Sequence, residues 1–185
     1  CRDKSDFNLA AARKLLAKHL KHNYFWWTRE WPYKDVTPMV MAEEYLEDVD
    51  GDAGLVDYKV TCFGGKPEFI EVHRGRFSNH TCNYYDIEWN PIRIEWAGIP
   101  IADSEVPRPC NLDKMLNLSE RLSTGIPQIR CDWYDLGDRL VFGELTLFNG
   151  AGFDIIDKDN DLRLGELIDL SLAYGSDGTE ALNDC

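Results

Sequence analysis

Gly64-Gly65 separates two strand-like runs, Leu55 to Phe63 and Lys66 to Val72, and no other short stretch restricts the folding of the chain as strongly. The favoured two-residue hairpin turn needs positive φ at both central residues, which glycine reaches without a steric penalty. The pattern predicts an antiparallel hairpin. A second pair of runs, Gln128-Ile-Arg-Cys-Asp132 and Phe142-Gly-Glu-Leu-Thr146, is joined at Leu136-Gly-Asp-Arg139. Side chains alternate along a strand, so Arg130, Asp132 and Tyr134 share a face, as do Phe142, Glu144 and Thr146. A three-residue loop, Gly137 to Arg139, sets Asp132 opposite Glu144 and Arg130 opposite Thr146. Two carboxylates about 5 Å apart at Cβ repel unless a cation lies between them. Removing either acid is therefore expected to leave the fold intact. Such a pair, with nucleotide phosphates, is a usual way to hold Mg²⁺; the alternative is an exposed hairpin with solvated acids.

Around these hairpins the chain reads as one domain or part of a larger one. Its 185 residues are 44% hydrophobic, enough for a real core. Ser5 or Asn8 caps a helix to about Lys21 with Leu9, Ala12, Leu16 and Leu20 as its apolar stripe. Phe25, Trp26, Trp27 and Trp31 follow in an aromatic connection, either a stacking platform or subdomain packing. Met39 to Ala42 reads as a buried strand, and Cys82 to Trp89 as another. Ile99 to Pro109 is a proline-broken loop. Asn111 caps a helix through Leu122 with Leu112, Met115, Leu116 and Leu122 inward. A short helix is expected around Leu164 to Leu170, and residues 171–185 as a loose tail.

A net charge of −13 argues against nucleic acid and anionic membrane surfaces as partners. No stretch approaches the roughly 20 apolar residues of a membrane span. Six cysteines form no CxxC pair, and Cys62, Cys82 and Cys131 fall in strand-like runs, which points to buried thiols in a reduced, cytoplasmic setting.

Several segments in order resemble the TupA-like ATP-grasp family, linked to teichuronopeptide and cell-surface polysaccharide synthesis. They are Arg29-Glu-Trp31, Ala42-Glu-Glu-Tyr-Leu-Glu-Asp48, Asp57-Tyr-Lys59, Arg76-Phe-Ser-Asn-His80, Tyr85-Asp-Ile-Glu-Trp-Asn90, Gly143-Glu-Leu-Thr146 and Leu164-Gly-Glu-Leu-Ile-Asp-Leu170. Each is weak alone; their collinear order over nearly the whole chain makes the likeness specific. The resemblance implies an α+β fold, the ATP-grasp C-terminal subdomain, with an antiparallel sheet flanked by helices. It also implies a partial ATP-grasp domain over 1–185, because the family's N-terminal subdomain, with its glycine-rich loop and strand lysine, has no counterpart ahead of Cys1. Alone, the chain is then expected to bind ATP weakly and to be inactive.

The same resemblance implies ATP and Mg²⁺ as cofactors and the ligation of a carboxylate to an amine through an acyl phosphate. The substrate would be a cell-surface polymer precursor. Glu43 would accept from the adenine amine, the backbone at Glu44 and Leu46 would bind the ring edge, and Tyr45 would pack beneath it. Lys59 would contact phosphate, held by Asp57 on the same strand face; otherwise the two are a surface ion pair worth under about 1 kcal/mol. Arg76, His80 and Arg130 are the further catalytic cations, ranked above Arg74 and His73. Asp132, Glu144 and Thr146 would hold the metal. Thr146 stands where many ATP-grasp enzymes have asparagine, and Asn149 is a further candidate ligand.

Two other functions compete. Asp48-Val-Asp50 has the form of the DxD motif of a metal-dependent glycosyltransferase, although the chain lacks the doubly wound half that motif serves. A non-catalytic calcium-binding or structural module is the second. Asp157-Lys-Asp-Asn-Asp161 has calcium-loop spacing at its first positions, but Leu162 and Ile168 replace the glycine and glutamate that such a loop requires.

Overall fold

The computed structural model describes residues 5, 7–46, 55–76, 78–96 and 98–174. The chain divides into two compact units, residues 1–46 and 47–185.

In the first unit, helix α1 spans Leu9–His19, and its cap is Asn8, whose Oδ1 accepts from the Ala11 N–H at 2.9 Å. The predicted stripe forms along it, yet no residue of α1 is buried. A single turn of helix, α2 at Phe25–Thr28, leads into a 3-10 turn at Trp31–Tyr33. Phe25 is buried, with the Trp26 and Trp31 rings edge-on at 5.2 and 6.0 Å. Trp26 and Trp27 stay exposed. The strand expected at Met39–Ala42 is absent, and Met39 and Met41 are exposed. An apolar run becomes a strand only if a ladder takes its N–H and C=O groups, and among the described residues this run is in no ladder.

The second unit is built on a six-stranded antiparallel sheet, so the expected α+β class holds. Its strands are β1 (Asp57–Phe63), β2 (Lys66–Arg74), β3 (Thr81–Asp86), β4 (Pro91–Ile92), β5 (Gln128–Asp135) and β6 (Leu140–Thr146). Their order is β4-β3-β2-β1-β5-β6. The β1–β2 turn is the predicted one, with φ of +55° at Gly64 and +89° at Gly65. A Cβ on Gly65 would meet the Thr124 Cα at 3.3 Å. Gly65→Ala is therefore expected to cost about 1–2 kcal/mol from backbone handedness alone, a fall of about 2–8 °C in Tm. An unchanged melting temperature would contradict this turn geometry.

Both hairpins contain a bulge, and the bulges decide what each face carries. Next to the turn, Phe63 pairs with Lys66 and Cys62 with Pro67; beyond it Thr61 pairs with Phe69 and Lys59 with Glu71. Without that slip Lys59 would stand opposite Ile70, and the apolar and charged sets of β2 would change places. In the second hairpin the three-residue loop is not formed. Leu136 to Arg139 make a four-residue connection, with Asp135 opposite Leu140 and Trp133 opposite Phe142. A bulge opposite Asp132 then restores Cys131 to Leu145 and Arg130 to Thr146, so the expected Arg130–Thr146 pairing arises by another route. Gly143 lies in that bulge, where a Cβ would come within 3.1 Å of the Asp132 carbonyl oxygen.

One face of the sheet is apolar. Val60, Ile70, Tyr85 and Cys131 pack there with Leu112 and Met115 of helix α3 (Leu112–Ser123). Ser119 faces the sheet too, accepting from Trp133 Nε1 at 2.9 Å, and Ser123 is buried one turn later. Leu122, expected inward, is 39% exposed, because the buried stripe runs 112-115-119-123 and 122 lies at its edge. Asn111 stands at the N-cap position as expected, but its side chain makes no capping bond and its amide donates instead to Asp135 Oδ1 at 2.7 Å.

The last helices are shifted from expectation. Helix α4 spans Lys158–Gly165, with Asp157 as its cap, and α5 spans Ser171–Tyr174, where a loose tail was expected to begin. Asp157 accepts from the N–H of Asn160 and of Glu95, both at 3.1 Å, so this acid serves as a helix cap. The Asp48–Asp50 motif lies outside the described residues.

Candidate functional site

The second face of the sheet carries buried charge. Alternation along β1 sends Asp57, Lys59 and Thr61 to this face, and neighbouring strands add Glu71, His73, Arg130 and Asp132. Asp57, Lys59, Glu71, His73 and Asp132 are each no more than 8% exposed.

Asp132 is the centre of the network. Its carboxylate forms an ion pair with Lys59 and takes a two-point bond from Arg130, Nε to Oδ1 at 2.7 Å and one terminal nitrogen to Oδ2 at 2.9 Å. Burial alone would raise the Asp132 pKa, but the hydrogen bonds and charge of Arg130, followed by Lys59, outweigh it and hold the carboxyl below its ordinary value. Burial likewise works against the Arg130 charge, and Asp132 more than compensates, so the arginine pKa is raised. The same guanidinium donates to Thr146 Oγ1 and Asn149 Oδ1, each at 3.0 Å, and lies 3.6 Å from Glu144 Oε1. The cation between Asp132 and Glu144 is thus the side chain of Arg130. Glu144 is 65% exposed, whereas Asp132 is buried against two cations. Removing Asp132 therefore strands buried positive charge, which overturns the expectation that losing either acid spares the fold.

The expectation that Asp57 holds Lys59 is not met, because Asp132 takes the ammonium. Asp57 accepts from Arg76 at 2.9 Å and interacts with the Tyr134 hydroxyl; burial and then that acid push the tyrosine up to about 12. His80 Nε2 lies 3.0 Å from His73 Nδ1, and His73 Nε2 lies 3.2 Å from Glu71 Oε2. Burial, then His73, lowers the His80 pKa. Two side-chain oxygens on this face, Thr61 Oγ1 and Glu71 Oε1, are buried without a hydrogen-bond partner. Such atoms carry a desolvation cost that a bound ligand can relieve.

Of the residues singled out from the sequence, Lys59, Arg130, Asp132, Glu144 and Thr146 meet around one guanidinium. Arg76 and His80 join the same sheet face through Asp57 and His73. Glu43, Glu44, Tyr45 and Leu46 lie in irregular backbone in the 1–46 unit, the first three exposed. Glu71, not among the residues singled out from the sequence, and His73, placed below His80 there, lie on the same face. Their signal was the alternation in Glu71-Val-His73, masked by the bulge that moves both onto the charged face.

An antiparallel sheet with one helix-covered face and one face of buried, converging charges defines an α+β protein equipped to bind a charged ligand. A sequence profile of the TupA-like ATPgrasp family matches residues 1–169, and the chain belongs to that family. Neither a curated protein nor a solved structure matches it. Membership makes it a protein of ATP-grasp type, a group of ligase-type enzymes that generally uses ATP and Mg²⁺. Among the described residues no helix is long and apolar enough to cross a membrane.

Proposed function

We propose that this protein is an ATP- and Mg²⁺-dependent carboxylate–amine ligase whose nucleotide phosphates and metal sit on the charged face of the sheet. The observation that carries the reading is the convergence of Asp132, Glu144, Thr146 and Asn149 oxygens on one cationic group beside Lys59. That donor set, hard oxygens with carboxylates, fits Mg²⁺. Asp132, Glu144 and Thr146 would hold the ion, with Asn149 adjoining, once the Arg130 guanidinium that now takes these oxygens turns to the phosphates. Bound there, Mg²⁺ supplies neutralisation of phosphate charge during phosphoryl transfer.

The protein's own part is electrostatic. Asp132 fixes the positions of Lys59 and Arg130, so two cations stand ready for a phosphate with little reorganisation. Arg76 and His80 extend the same field. The expected carboxylate and amine partners belong to a cell-surface polymer precursor of the teichuronopeptide kind, handled in the cytoplasm. That part rests on family resemblance.

Adenine recognition falls to Glu43 as acceptor and to the backbone at Glu44 and Leu46, with Tyr45 against the ring. Guanine and uracil carry an oxygen where adenine carries its amine, and a mismatched buried polar pair costs about 1–3 kcal/mol, or about 5- to 150-fold in affinity. The full chain should therefore prefer ATP to GTP and UTP by calorimetry, and Glu43→Gln should narrow the gap. Equal affinities, or tighter binding of a UDP-sugar, would contradict the ligase reading and favour a glycosyltransferase.

A further inference from the structure

Beside the Lys59–Asp132 pair, one strand further across the sheet, lies a second cluster with different chemistry. Register sets Lys59 between Asp132 and Glu71, so at about 4.8 Å per strand Glu71 and Asp132 are about 10 Å apart along the sheet. Glu71 and His73 project from β2 to the same side, and Cys82 stands opposite His73 on β3. All three are buried, at 5%, 8% and 0% exposure. One atom from each, a carboxylate oxygen, an imidazole nitrogen and the thiol sulfur, lies within 4.8 Å of the other two.

The distances carry the argument. His73 Nε2 is 3.2 Å from Glu71 Oε2 and 3.6 Å from Cys82 Sγ. For a tetrahedral zinc with bonds of about 2.1 Å to nitrogen and oxygen and about 2.3 Å to sulfur, the N–O and N–S edges come to about 3.4 and 3.6 Å. Hydrogen bonding accounts for the cluster less well. A single N–H at Nε2 can reach Glu71 or Cys82 but not both, and although the Cys82 thiol also lies 3.7 Å from the Asn83 carbonyl oxygen, Glu71 Oε1 stays buried without a partner. A metal takes the nitrogen, the sulfur and the carboxylate together.

The surroundings agree. His73 Nδ1 lies 3.0 Å from His80 Nε2, so an N–H on Nδ1 can be donated outward, leaving the Nε2 lone pair for a metal. A metal-bound histidine commonly donates its other ring N–H to an outer acceptor, and here that acceptor is the His80 ring. A divalent cation with one thiolate, one carboxylate and a neutral imidazole has no net charge, which suits a buried position.

We infer that Glu71, His73 and Cys82 form a binding site for a zinc-class divalent cation, separate from the oxygen-lined Mg²⁺ position. On binding, the Cys82 thiol releases its proton to solvent, the sulfur and Glu71 coordinate as anions, and a fourth position stays open. Such an ion ties β2 to β3 behind Lys59.

The test uses the full chain with Cys1, Cys110 and Cys185 replaced by serine, stripped of metal by chelator and titrated with Co²⁺. One equivalent should bind with a thiolate-to-cobalt charge-transfer band, and Zn²⁺ should displace it. Cys82→Ser should abolish the band. Glu71→Gln should retain it but weaken Co²⁺ affinity at least about tenfold, as loss of a ligand does. Glu71→Gln also guards against a Cys82→Ser variant that fails to fold. No thiolate band in the parent, a band that survives in Cys82→Ser, or unchanged affinity in Glu71→Gln would overturn the assignment.

Discussion

Asp132→Ala is expected to destabilise the protein by about 3–5 kcal/mol, the cost of breaking a buried ion pair from one side. The side chains of Lys59 and Arg130 are only 7% and 13% exposed, so both would remain buried after their shared counter-charge is gone. For a domain of ordinary stability, about 5–15 kcal/mol, that is a large fraction of the total. Glu144→Ala should shift stability by no more than about 0.5 kcal/mol, since its side chain is mostly solvated. Urea unfolding of the two variants decides the matter, and equal losses would contradict the central place of Asp132. The pH dependence has a fixed sign. Because the folded Asp132 pKa is depressed, its contribution is full well above the unfolded value of about 3.9 and is lost as pH falls through the lower folded value. The stability gap between the parent and Asp132→Asn should close over that acid range and stay constant at neutral pH.

Arg130→Lys should behave as a severe change although it conserves charge. One planar fork reaches both oxygens of Asp132 as well as Thr146 and Asn149. An ammonium is a point charge on a different stem and cannot span that set. Loss of one charge-assisted hydrogen bond costs about 1.5–3 kcal/mol, which is the least expected here. Arg76→Lys is the control. Its side chain is 57% exposed and makes one bond to Asp57, so the loss should stay under about 1 kcal/mol. Similar losses at the two positions would show that the Arg130 fork carries no special weight.

The strands and the polarity of their faces were legible from alternation and from Gly64-Gly65, because a half-buried sheet has period two. The Arg130–Thr146 pairing was legible as well, but for a mistaken reason. Local turn chemistry indicates one register, whereas each hairpin here contains an extra residue that changes it. The β2 bulge is set by burial: it turns Ile70 and Val72 toward α3 and Glu71 and His73 away, a choice made by packing partners distant in sequence. Asp132 and Glu144 looked equivalent for a related reason. Spacing records that two acids share a region, not that one lies under two cations while the other faces water. Met39 to Ala42 failed oppositely, since four apolar residues do not reveal whether a neighbouring strand is available to pair with them.

The most direct measurement of the central claim is a calorimetric titration of the full chain with ATP, with Mg²⁺ and with the metal chelated, beside Glu144→Gln. Glu144 is exposed and its substitution should spare the fold, so any change in affinity reports on the ligand site. Mg²⁺-dependent ATP binding that falls at least about tenfold in Glu144→Gln, with unchanged urea stability, is the expected result. Binding that is indifferent to Mg²⁺, or equal in parent and variant, would contradict a metal–nucleotide site on the charged face of the sheet.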